Sequence, residues 1–280
     1  MKNIVKIKNL FPFIALFALI LVSCEREVDN QDQDLHKIEL MKQKINKSFP
    51  DYQSLSVSRT DGCSNYDYCH AIWTETDFTV DLEVFPGCSA RAIFDVVLCE
   101  VISSPTTLIL QFNFENFRAF PIFGQCDSLI NNWIDLLISG DTTTLLNEIN
   151  DFTYLVSELA EEWYIDWFLN DQQWSGWFQC NDLNTLLFAE FSFMQCSETW
   201  INFVFDPENP IRDIIIRVDC GDMCCRRTTL YCYTSEGTIH QSNQQFTLFG
   251  DCHGLTSAPH PGPGYVLIGE CGSSMNCGEN

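Results

Sequence analysis

The chain has 280 residues, 46% of them apolar and 13% aromatic, which is enough to build a buried core and too much for a disordered polymer. Fifteen Lys and Arg stand against 38 Asp and Glu, giving a formal net charge of −23. That balance argues against nucleic-acid binding and against docking on anionic lipid through a basic face, and it leaves cationic partners or calcium open.

At the N-terminus, Lys2, Lys6 and Lys8 surround the start of an apolar run from Leu10 to Val22, which closes with Leu21-Val22-Ser23-Cys24. The run is short for a membrane-spanning helix and has the charged, apolar and cleavage regions of an export signal. With a small residue directly before a cysteine, it resembles the lipobox of bacterial lipoproteins. The resemblance implies removal of residues 1–23 as a signal peptide, acylation of Cys24 with chains such as palmitate, and attachment to the membrane of the cell envelope, at the outer membrane. Two or more acyl chains suffice for stable anchoring where one is marginal. Residues 24–34 then form an acidic tether, loosely similar to the surface-export signals of Bacteroidota lipoproteins but interrupted by Arg26 and Val28.

An amphipathic helix is expected from Leu35 to Ser48, with Leu35, Ile38, Met41 and Ile45 on one face. From Asp77 the period shortens to two, as Phe78, Val80, Leu82 and Val84 alternate with polar residues. Pro86-Gly87 makes a turn, and Ala92–Ile102 and Thr107–Phe114 read as further strands. A helix follows at Asp127–Ile138, capped by Asp127 or Ser128 and broken at Gly140. A longer one starts near Asp141 or Thr142, with Leu145, Ile149, Phe152, Val156, Leu159 and Trp163 on one stripe and Glu158, Glu161 and Glu162 off it. Strands return at Leu186–Met194, Trp200–Phe205, Ile211–Val218, Arg226–Thr234 and Gln244–Leu248, and the proline- and glycine-rich run 258–264 is an exposed loop. The expected class is α+β, with disulfide-stapled β-rich regions (51–126 and 180–280) flanking a central helical segment (127–170), all within one exported domain over 35–280. Phe123-Gly-Gln-Cys126 and Phe249-Gly-Asp-Cys252 follow Cys99 and Cys225 at equal spacing, which leaves duplication and coincidence both open.

Beyond Cys24 the cysteines are Cys63, Cys69, Cys88, Cys99, Cys126, Cys180, Cys196, Cys220, Cys224, Cys225, Cys232, Cys252, Cys271 and Cys277. An even set in an exported chain points to disulfides, with connectivity open. The dense Cys220–Cys232 stretch could supply zinc thiolates with His240 or His253, but it has no CxxC spacing, so no metal and no cofactor are expected. Neighbouring Cys224 and Cys225 point to opposite faces if they begin a strand, and so serve different bridges.

The chain carries no GxSxG elbow, no HExxH and no phosphate-cradling glycine loop. His36, His70, His240, His253 and His260 therefore stand as isolated histidines. The functional lead is aromatic. Trp163, Trp167, Trp174 and Trp177 lie close in sequence, and exposed tryptophans stack on sugar rings or anchor a protein partner. The alternative is that they roof the core beside a disulfide at Cys180. The expectation is a non-enzymatic binding or structural role with a glycan or protein ligand and no nucleic acid. A hydrolase acting on envelope or environmental polymers is the runner-up.

Overall fold

A computed structural model describes residues 35–45, 47, 69–104, 107–122, 124–171, 174–194, 196–202, 215–221, 223–250, 252 and 260–271. The lipobox, Cys24, the acidic tether, Cys63, Cys277 and His253 lie outside the described residues, as do the side chains of Cys69 and His70.

Helix α1 (residues 35–45) buries Ile38, Met41 and Ile45 at helical spacing and leaves Leu35 exposed. Strands β1 (Cys69–Leu82), β2 (Cys88–Ser104) and β3 (Thr107–Pro121) form an antiparallel meander. All three run further than strict alternation indicates. In β1 the register shifts at Ala71/Trp73 and Trp73/Thr76, which scrambles the period of two before Asp77 and hides the strand's start.

Helix α2 (Asp127–Ser139) ends at Gly140, whose φ of 79° is left-handed and suits glycine. Its N-cap is Cys126, with no side-chain cap, rather than the expected Asp127 or Ser128. The Cys88–Cys126 disulfide holds that end against the start of β2, and Asp127 instead accepts from the Gly124 N–H at 3.0 Å. Helix α3 (Thr142–Asp166) is capped by Asp141, which accepts from the Thr144 N–H at 3.1 Å, and continues into a π-helical turn over Trp167–Asp171.

β4 (Thr185–Met194) lies parallel to β3, a pairing that requires a long crossover, here α2 and α3. β5 (Ser197–Ile201), β6 (Ile215–Asp219), β7 (Cys224–Tyr233), β8 (Ile239–Gln241), β9 (Gln245–Phe249) and β10 (Val266–Gly269) follow. β8 and β10, of three and four residues, are too short to show a period in the sequence. The large sheet runs β1-β2-β3-β4-β7-β8, with β9 also on β7, and the small one runs β10-β5-β6.

One face of the large sheet packs on α3. Leu108, Leu110, Phe112 and Phe114 of β3 are fully buried there, with Phe112 edge-on to Tyr164 and Phe168 at 5.1 and 4.7 Å. Phe114 stacks on Phe191 of β4 at 4.8 Å across the parallel pair. The opposite face carries a polar row, in which Gln111 donates to Asn113 and Glu190, and Arg226 pairs with Glu190 at 3.4 Å.

Disulfide Cys88–Cys126 ties a strand to a helix end and Cys180–Cys232 ties a loop to a strand, while Cys196–Cys252 and Cys220–Cys271 join loop positions to one another. Cys99, Cys224 and Cys225 are disulfide-bonded as well. Among the described residues, no helix is long and apolar enough to cross a membrane.

Candidate functional site

Phe78, Thr79, Val80 and Asp81 of β1, Tyr231 of β7, and Ile239 and Gln241 of β8 all border one cavity of about 670 Å³. β1 and β8 are the two ends of the strand order. In a flat sheet five steps of about 4.8 Å would hold those ends roughly 24 Å apart. Both line one cavity because the sheet is rolled around α3, which closes it with Leu159, Glu162, Trp163, Ile165 and Asp166.

The wall is built by helical spacing. Leu159, Glu162, Trp163 and Asp166 share one face of α3, because residues three and four apart stand above one another. Trp163 is 39% exposed and packs its ring 4.7 Å from that of the buried Phe78. Asp166 accepts from Asn170 at 2.8 Å, and Asp81 accepts from Ser89. Glu162 lies exposed at the rim with no hydrogen-bond partner among the described residues. Partial desolvation against the wall raises its pKa, Glu158 and Glu161 raise it further, and Arg227 only partly offsets them.

Beneath the cavity lies a buried polar network. Arg227 of β7 is fully buried and donates from Nη2 to Glu161 at 2.8 Å and from Nη1 to Ser157 at 3.1 Å. The second Glu161 oxygen accepts from the Tyr231 hydroxyl at 2.8 Å. The guanidinium also lies over the Tyr154 and Phe191 rings, 4.9 and 5.0 Å from their centroids. Burial alone would lower the Arg227 pKa, but Glu161 and Tyr154 outweigh it and the net shift is upward. Burial pushes the Tyr231 hydroxyl up, and the Glu161 charge beside it adds to that. Tyr231 is therefore a neutral donor that joins the cavity wall to the Glu161–Arg227 pair.

The four tryptophans do not form one surface. Trp163 opens on the cavity, and Trp167 is half-buried with its ring 5.4 Å from Tyr164. Trp174 is fully buried, stacked on Phe168 at 5.1 Å, with Lys44 of α1 4.2 Å from its centroid. Trp177 is half-buried beside it, 5.9 Å from the same lysine. His36 and His240 are exposed, and His260 packs on Trp200 at 4.6 Å. None of these three lines the cavity. Among the described residues, no group of three His, Cys, Asp or Glu gathers to hold a metal.

Phe78, Asp166, Tyr231 and Gln241 carry no sequence signal as site residues, because only the roll of the sheet brings them together. Glu161 is missed as well: the sequence pattern puts it off the apolar stripe of α3 with Glu158 and Glu162, whereas the structure buries it against Arg227 of β7.

No family model matches the chain, and no curated protein or solved structure matches it.

Proposed function

We propose that the chain is a lipid-anchored, exported binding protein of the bacterial cell envelope, attached through Cys24, with a non-enzymatic role exercised through the cavity between β1, α3 and β8. The lipobox residues Leu21–Cys24 support the anchor, and the disulfides suit an oxidising compartment outside the cytosol. In this reading the stapled β-rich regions on either side of the helical segment form a rigid frame for the ligand. The single observation that carries the binding role is Trp163, a large aromatic ring left 39% exposed on a concave wall instead of being turned into the core.

Two measurements test the reading. Metabolic labelling with an alkyne fatty acid should tag the wild type and leave Cys24→Ala unlabelled and uncleaved; labelling of the variant sinks the anchor. Small-molecule envelope extract should quench the tryptophan fluorescence of the wild type and have much less effect on Trp163→Ala of unchanged circular dichroism. Equal quenching in both proteins removes the cavity from the proposal.

A hydrolase acting on polymers is the second reading, favoured by two carboxylates, Glu162 and Asp166, on one cavity wall with the Glu162 pKa raised. Turnover of a soluble polymer that disappears in Glu162→Gln and Asp166→Asn would establish it.

A further inference from the structure

The cavity has an unbalanced charge. Its lining includes Asp81, Glu162 and Asp166 and no Lys, Arg or His. Arg227, in the network below it, is already committed to Glu161 and lies 4.0 Å from Glu158, and Arg91, opposite Thr79 on the neighbouring strand, is committed to Asp77. Glu158, Glu161 and Glu162 therefore share one guanidinium, and Glu162 is the carboxylate that gains least from it. Most of the remaining wall is apolar or aromatic (Phe78, Val80, Leu159, Trp163, Ile165 and Ile239), with Thr79, Gln241 and Tyr231 as its uncharged polar residues.

Resting on the binding role proposed above, we infer that the occupant of this cavity is a small organic cation, an ammonium group carried on an apolar body. Each part of such a ligand has a counterpart in the wall. The ammonium supplies the charge that Glu162 and Asp166 lack, and these two acids sit on the same face of α3. A cation in front of Trp163 also gains from the face of the indole, the ring that holds ammonium groups most strongly. The apolar body packs on Phe78, Leu159 and Ile239, where a bare metal ion would gain nothing. A neutral or anionic ligand would leave the carboxylates without compensation while displacing their water.

Calorimetric titration of the full disulfide-bonded chain at low ionic strength, with 2-phenylethylammonium and its neutral counterpart 2-phenylethanol, tests the inference. The ammonium should bind about tenfold or more tightly than the alcohol, and Glu162→Gln combined with Asp166→Asn should bring the two to the same affinity. Trp163→Ala should weaken both, with circular dichroism unchanged. Equal binding of the two probes to the wild type overturns the cationic ligand while leaving the cavity as a binding site. Failure of both to bind at millimolar concentration removes the cavity altogether.

Discussion

Arg227 is fully buried, and geometry is what keeps its charge there: a hydrogen bond to the Glu161 carboxylate at 2.8 Å, a second to Ser157 at 3.1 Å and flanking aromatic rings. Breaking one side of such a pair strands the other. Glu161→Ala should cost about 3–5 kcal/mol in urea unfolding, because it leaves the buried Arg227 without its close carboxylate partner and the Tyr231 hydroxyl without its acceptor. Glu161→Leu with Arg227→Met should recover most of that loss; a double variant as unstable as the single would show that packing, not pairing, sets the cost. Glu162 behaves oppositely. Its pKa is raised in the folded chain by partial burial and by Glu158 and Glu161, with Asp166 on its own face, Asp81 across the cavity, and Arg227 and Tyr231 below. The native state therefore holds that proton more tightly than the unfolded one, and stability falls as pH rises through the window from the ordinary glutamate value to the raised one. Glu162→Gln should stabilise the protein at neutral pH, with the gain vanishing in acid; a pH-independent difference would contradict this. At this scale the sequence carries little of the site. Trp163 is legible as an aromatic worth following, but its partners Phe78 and Tyr231 come from strands far away in the chain, and no local spacing ties them to it.

At the scale of elements, α3 shows what periodicity carries and where it stops. The stripe Leu145, Ile149, Phe152 and Val156 is buried as its spacing implies. Beyond Val156 the buried positions turn to Ala160, Glu161, Tyr164 and Ile165, which moves Trp163 outward. Successive steps of four advance the stripe around a helix that completes a turn in 3.6 residues, so a long helix presents a different face to the sheet at its far end. α1 illustrates a second limit: its apolar face is legible, but its seat on Trp174 and Asp182 is not. Lys37 pairs with Asp182, whose carboxyl is held below its usual pKa because that bond, the Asn184 N–H and Thr185 outweigh the effect of burial. The stabilisation is present above the ordinary Asp value and is lost as pH falls through the lowered one. Asp182→Asn should speed amide exchange in residues 35–45 at neutral pH while leaving α3 protected; unchanged exchange would mean that Ile38, Met41 and Ile45 hold the helix without the ion pair.

At the scale of the whole molecule, the cysteine count is legible as bridges, but their pairing is not, because connectivity depends on which loops the two sheets bring together. The four bridges with both partners described close loops of 38 to 56 residues, each worth about 4 kcal/mol by chain-entropy reckoning. Non-reducing peptide mapping should recover Cys88 with Cys126, Cys180 with Cys232, Cys196 with Cys252 and Cys220 with Cys271, and reduction should lower the melting temperature sharply. Free thiol at any of these eight positions would contradict the architecture.

The rolled sheet is, in mechanical terms, a split ring. Its gap is the cavity between β1 and β8, and the part of the hoop opposite that gap is the parallel joint between β3 and β4, where Phe114 lies flat on Phe191. A ring of this kind changes its aperture when the far side straightens or tightens. Trimming Phe191, which does not line the cavity, should therefore register across the molecule as a change in the size of ligand admitted.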